Sequence, residues 1–163
     1  MSIQFTADEM LRVAEQIERN GITFYSAAAR QVEHVELSEL LLRLADWEAK
    51  HEALFAAMRE SLSERDREPI SFDPDDEISL YLRNFADSVV FTGQQDLVAL
   101  FAAATPLSIL RTALGREEDS IVFYAGMRGY VPARLGADKV ERIITEEYGH
   151  AAMIQQQIAA IGI

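Results

Sequence analysis

The chain has no cysteine. That excludes disulfides, thiolate metal sites, iron–sulfur clusters and cysteine nucleophiles. Histidine is scarce too, with three in 163 residues, so chemistry that needs an imidazole has few candidates. Basic residues are outnumbered, 15 Lys and Arg against 27 Asp and Glu, for a net charge of −12. A surface of that sign repels phosphate backbones, and no nucleic acid partner is expected. The stretch Met1 to Met10 lacks the basic start and apolar run of a secretory signal. The segment poorest in charge, Ser88 to Leu110, holds Gly93, Gln94, Gln95, Thr105 and Pro106, which makes it a poor bilayer span. The expectation is a cytoplasmic protein with no membrane role. No segment of any length alternates with the period of a strand.

What remains is helical. Half of the residues are apolar, enough for one domain over 1–163 with a sizeable core. Thr6-Ala7-Asp8-Glu9 is a capping box, with Ile3 or Phe5 placed to add a hydrophobic staple. The apolar residues Met10, Val13, Ile17 and Phe24 then follow a 3.6 period. This predicts a helix to about Val32, a turn near His34, and a second helix from about Leu37 to Leu62. Asp73-Pro74 opens a crossover helix to about Phe91. Gly93 breaks it, and a short helical piece fills 95–103. Thr105-Pro106 caps a third long helix to about Tyr130. Gly136 and Asp138 mark a turn, and a fourth helix runs from about Ala137 to Ile161.

The long helices repeat. Glu18, Phe24, Tyr25, Glu48 and His51 recur 99 residues later as Glu117, Phe123, Tyr124, Glu147 and His150. Thr6, Leu11, Arg12, Ala14, Ile22, Val32, Arg43 and Ala53 recur at the same offset. That makes thirteen identities over positions 6–53, where shared helical composition alone gives roughly three to five. The chain therefore reads as two copies of one αα-hairpin joined by a long helical crossover, an all-α up-down four-helix bundle.

The repeated residue types point to metal. Residues i and i+3 share a helix face, so Glu48 with His51, and Glu147 with His150, each reach one centre. Glu18 lies on an inward stripe with Leu11, Ala14 and Tyr25. Glu117 does the same with Leu110, Ala113 and Tyr124. Four carboxylates converging in a core repel one another, and neither stripe supplies an obvious Lys or Arg. Two dications would balance four Glu, with two neutral imidazoles completing the set. Oxygen and nitrogen ligands suit Fe, Mn or Zn. Tyr25 and Tyr124 either bond a carboxylate from behind the ligands or simply pack. Phe24 and Phe123 are expected in the core and His34 on the surface. Asp46, Glu118 and Glu146 are expected to point away, while Asn20 and Asp119 are candidate neighbours of the ligands.

Glu18-x5-Phe24-Tyr25, Glu48-x2-His51, Glu117-x5-Phe123-Tyr124 and Glu147-x2-His150 together resemble the di-iron domain of the rubrerythrin branch of the ferritin-like superfamily, over nearly the whole chain. The resemblance implies a ferritin-like bundle with two metal ions, iron first and Zn or Mn as alternatives. In it, Glu48 and Glu147 bridge, Glu18 and Glu117 are terminal, and His51 and His150 each cap one ion. It also implies a peroxide- or dioxygen-reacting oxidoreductase. Without a cysteine-rich electron-delivering module, the reductant is expected to be an external electron donor protein. The family's further Glu on the third long helix is Ser120 here, so the carboxylate-to-histidine ligand exchange of peroxide reduction lacks its Glu. Ending after helix four argues against an iron-storage cage. The rival reading is a dinuclear Zn or Fe protein without turnover. The uncharged stretches 88–95 and 97–110 suggest a homodimer, which light scattering would test.

Overall fold

The computed structural model describes residues 6–68, 80–82, 84–85, 88 and 95–161. Among these there is no strand. The α-helices whose bounds lie among the described residues are α1 Ala7–Ala29, α2 Val35–Glu60, α3 Gln95–Phe101, α4 Pro106–Met127 and α5 Ala133–Ile161. Most of the expected crossover helix lies outside the described residues, as do the staple residues Ile3 and Phe5. Within the crossover, residues 80–82, 84–85 and 88 are helical. No described helix is long and apolar enough to cross a membrane.

The helix starts follow their caps. Thr6 Oγ1 accepts from the Glu9 N–H at 3.1 Å, and the Glu9 carboxylate accepts from the Thr6 N–H at 3.0 Å. Thr105 repeats the device: its hydroxyl accepts from the Ser108 N–H at 3.1 Å, and Pro106 follows it in the first turn. The helix ends depart from expectation. α1 stops at Ala29 rather than near Val32 and α2 begins at Val35, because the Ser38 hydroxyl donates to the Ala29 carbonyl and closes the turn early. The third long helix ends at Met127 and tightens into a 3-10 turn, Arg128–Tyr130.

Gly136 lies inside α5 with φ +104°, bending the first turn away from the main run. A Cβ there would also come within 2.8 Å of the Lys139 side chain. Gly136→Ala is therefore expected to cost roughly 1–2 kcal/mol, read as a lower urea midpoint at unchanged slope.

Helices α1 and α2 pack as one hairpin, α4 and α5 as the other. Two apolar clusters form the ends of the bundle. One joins Met10, Leu11 and Ala14 to Phe55, Met58, Phe123, Met127, Val140 and Ile143. The other joins Phe24, Tyr25 and Ala28 to Leu37, Leu41, Leu44, Leu110 and Ile154. The crossover adds Leu82 and Phe85 to the first end, and Leu97 and Phe101 to the second. It thus carries the chain from one end to the other, so α4 runs in the direction of α2. Each buried Leu or Phe contributes about 1.5–3 kcal/mol. That burial holds the ends firmly enough to carry a polar layer between them.

One buried charge was not foreseen. Glu15 is 1% exposed. It is held by Arg19 at 2.9 Å and by the Arg59 guanidinium, which also approaches Asp8. The cluster ties α1 to α2 at the first end of the bundle.

Candidate metal centre

Between the two apolar ends, each long helix sends carboxylate or imidazole groups inward. Glu18, Glu48, His51, Glu117, Glu147 and His150 are all at most 5% exposed. They form two overlapping groups, Glu18–Glu48–His51–Glu147 and Glu48–Glu117–Glu147–His150, within each of which the potential ligand atoms lie within 4.8 Å of one another. Glu48 and Glu147 belong to both groups, Glu18 and Glu117 to one each. Each group draws on both hairpins.

Both histidines turn Nδ1 inward. His51 Nδ1 lies 2.8 Å from Glu147 Oε1 and 3.9 Å from Glu18 Oε1. His150 Nδ1 lies 3.1 Å from Glu147 Oε2, 3.6 Å from Glu117 Oε2 and 3.7 Å from Glu48 Oε1. His51 Nδ1, Glu147 Oε1 and Glu18 Oε2 are buried without a hydrogen-bond partner; the 2.8 Å approach of the first two lacks hydrogen-bond alignment. Buried polar atoms are rarely left so. Three orphaned lone-pair donors aimed at one layer are what a cation would satisfy, and four Glu with two imidazoles balance two dications. The residues fit a pair of metal ions.

The two tyrosines serve the carboxylates across the bundle. The Tyr25 hydroxyl, from α1, donates to Glu117 on α4, and the Tyr124 hydroxyl, from α4, donates to Glu18 on α1. Burial and the neighbouring carboxylates push both phenols well above their usual range, so each stays protonated as a donor. Phe24 and Phe123 are fully buried in the core, and His34 is exposed.

Without metal, the cluster resolves its charge with protons. Burial, then the neighbouring Glu48 and Glu147, raise Glu18 well above the usual carboxylate range. Burial likewise raises Glu117 and Glu48. Burial would lower His150, but hydrogen bonds with Glu117 and Glu147 outweigh it and push it up to about 10. His51 rises as well, since the closeness of the Glu147 and Glu146 carboxylates outweighs its burial. Glu147 shows the converse: burial raises it, yet both imidazoles pull it well below its usual range.

A cavity of about 60 Å³ opens beside the cluster. Its walls include Glu48, Glu117 and Tyr25, with Gly21, Arg116 and Ser120 among the other residues. Gly21 and Ser120, like Asn20 and Asp119, are related by the 99-residue offset, so α1 and α4 both line the cavity through equivalent positions. Gly21 keeps it open: a Cβ there would lie 3.1 Å from Glu48 Cγ.

Two expectations are corrected. Glu146 does not point away: its Oε2 lies 2.9 Å from His51 Nε2. A cation also stands close to the cluster, because the half-buried Arg116 lines the cavity with its guanidinium over the Phe24 ring. Asp46 and Glu118 are exposed as expected, and Asn20 and Asp119 line the cavity. Trp47, a residue with no obvious role in the sequence, stacks on His150 with ring centroids 4.9 Å apart. The offset itself pairs Trp47 with Glu146, and that was the available signal for both.

The rubrerythrin family model matches residues 9–88, which include most of α1, all of α2 and part of the crossover. A solved ferritin-like diiron-carboxylate protein from Thermotoga maritima is similar over 96% of each chain, with a TM-score of 0.71 at 19% sequence identity. No curated protein sequence matches. The family match over residues 9–88 and the shared fold agree with the duplicated cluster: in its first half this chain is similar to the rubrerythrins, and as a whole it shares the fold of the Thermotoga protein.

Proposed function

We propose that this chain is a di-iron carboxylate oxidoreductase that reduces hydrogen peroxide or dioxygen at a centre held by Glu18, Glu48, His51, Glu117, Glu147 and His150. The observation that carries the reading is the pair of overlapping ligand groups sharing Glu48 and Glu147, beside a cavity of small-molecule size. Iron bound there would supply the electrons and Lewis acidity for breaking an O–O bond.

The chain's own residues do the rest. Tyr124 and Tyr25 hold the Glu18 and Glu117 carboxylates in one orientation. Apolar ends on either side exclude bulk water. The cavity offers space for a molecule the size of peroxide, and Tyr25 Oη keeps a proton at its wall. With no thiol or second redox group in the chain, electrons would come from a separate donor protein.

The test is to load the metal-free protein anaerobically with two Fe(II) per chain and add one equivalent of hydrogen peroxide. Rapid peroxide loss with the appearance of ferric absorption is expected; peroxide persisting over minutes would sink the reading. A second reading, a dinuclear Zn or Fe binding protein without turnover, is favoured by Ser120. Its hydroxyl donates to the Arg116 carbonyl at 2.9 Å, and no further carboxylate stands there. Tight metal binding with inert iron would select it.

A further inference from the structure

The two halves of the centre repeat their ligands but differ at the pair of positions that meets the histidines. Residues 47 and 146 are related by the repeat, each immediately before a shared Glu. Each faces the histidine of the other hairpin, because α2 and α5 lie side by side and antiparallel. Glu146 meets His51: its Oε2 is 2.9 Å from Nε2, while its Oε1 accepts from Arg142 Nε at 2.9 Å. Trp47 meets His150: the rings stack with centroids 4.9 Å apart and planes 15° from parallel. The repeat keeps the arginine of this arrangement, as Arg43 and Arg142, and exchanges only the carboxylate for an indole.

These contacts have different chemical effects. A carboxylate at Nε2 places the ring proton there, leaves the Nδ1 lone pair facing the centre, and makes the imidazole a stronger donor. It also brings a negative charge towards the ion that Nδ1 would bind. An indole face fixes the plane of the His150 ring but does neither of these things. Exposure is unequal as well. The cavity is walled by Glu48, Glu117 and Tyr25 and touches neither Glu18 nor either histidine, so of the two unshared carboxylates only Glu117 meets it.

We propose that the two metal positions are unequal. The Glu18/His51 position holds a resident ion; the Glu117/His150 position, open to the cavity, holds an exchangeable one. Glu146 is the positioning residue that sets the difference, and the ion on the cavity side is the one an incoming oxidant meets first. This inference rests on the dinuclear reading of the site.

The experiment titrates the metal-free chain with Co(II) at pH 7 against a competing chelator, following the ligand-field absorption of each equivalent. In the wild type the first equivalent is expected to bind about 10–100-fold more tightly than the second. His51→Ala should abolish the tight step and His150→Ala the weak one. Glu146→Gln should bring the first affinity down towards the second, leave the second unchanged and alter only the first spectrum; Glu146→Asp should restore part of the gap. Trp47→Glu should tighten the second step. The side chain of Glu146 is 41% exposed, so its variants should keep the fold, as melting curves would check. Equal affinities in the wild type, or a Glu146→Gln variant that weakens both steps alike, would overturn the proposal while leaving a dinuclear site intact. Failure to bind any Co(II) would instead overturn the dinuclear reading itself, and this inference with it.

Discussion

A chain carrying both Glu48→Ala and Glu147→Ala should retain neither metal ion after desalting, whereas Glu117→Ala should retain one. The contrast follows from sharing: Glu48 and Glu147 stand in both ligand groups, Glu117 in one. Four-ligand structural zinc sites, taken as a scale, are worth on the order of 10–16 kcal/mol. Losing two of four ligands removes about half of that, a fall of at least ~10⁴ in affinity at each position. Elemental analysis of protein purified without added metal measures the outcome. The double variant should still fold, because it removes buried carboxylates rather than exposing new ones. Its circular dichroism melt separates lost ligation from lost structure. Two ions per chain in the double variant would show that the shared carboxylates are not ligands.

Stripping the metal should make stability depend on pH, with a fall as the solution becomes more alkaline. Glu18, Glu48 and Glu117 have folded pKa values above their ordinary 4.5, and His150 rises from 6.5 to about 10. A group whose pKa is raised by folding contributes stability below its unfolded pKa and loses it as pH climbs through the folded one. Both carboxylates and imidazoles therefore act in the same direction between about pH 5 and 10. Glu147, depressed below 4.5, acts in the opposite sense but only in more acidic solution. Between pH 6 and 9 the melting temperature of the metal-free chain should drop by roughly 5 °C or more, given ~2–4 °C per kcal/mol for a chain of this size. Metal takes the place of those protons, so the loaded protein should melt at nearly the same temperature throughout. Calorimetry in buffers of different ionisation enthalpy should also show protons released as metal binds at pH 7. A metal-free chain whose stability rises over this range would contradict the electrostatics of the cluster.

The repeat and the caps were legible in the sequence because both are local or periodic. Thr6 and Thr105 announce helix starts by chemistry within four residues, and the 99-residue offset needs no knowledge of packing. The convergence of six side chains followed from the i, i+3 spacing and the pseudo-symmetry. What sequence reasoning missed depends on neighbouring helices. Glu146 sits one residue from a ligand, where helix geometry alone directs it sideways; only the nearness of α2 turns that direction towards His51. Glu15 is buried because Arg59, on another helix, reaches it. Trp47 looks like an ordinary apolar-face residue until His150 lies against it. The end of α1 at Ala29 is set by Ser38, nine residues on.

The crossed tyrosines have a consequence for origins. Each hairpin owns a full vocabulary of Glu, Tyr, Glu and His, yet its phenol supports a carboxylate on the other hairpin, and its own ligand group is closed from the other side. A solitary ancestral half would have had to meet a twin to complete either pocket. Fusing the twins into one polypeptide then freed matching positions to diverge, which a symmetric pair of identical chains cannot do.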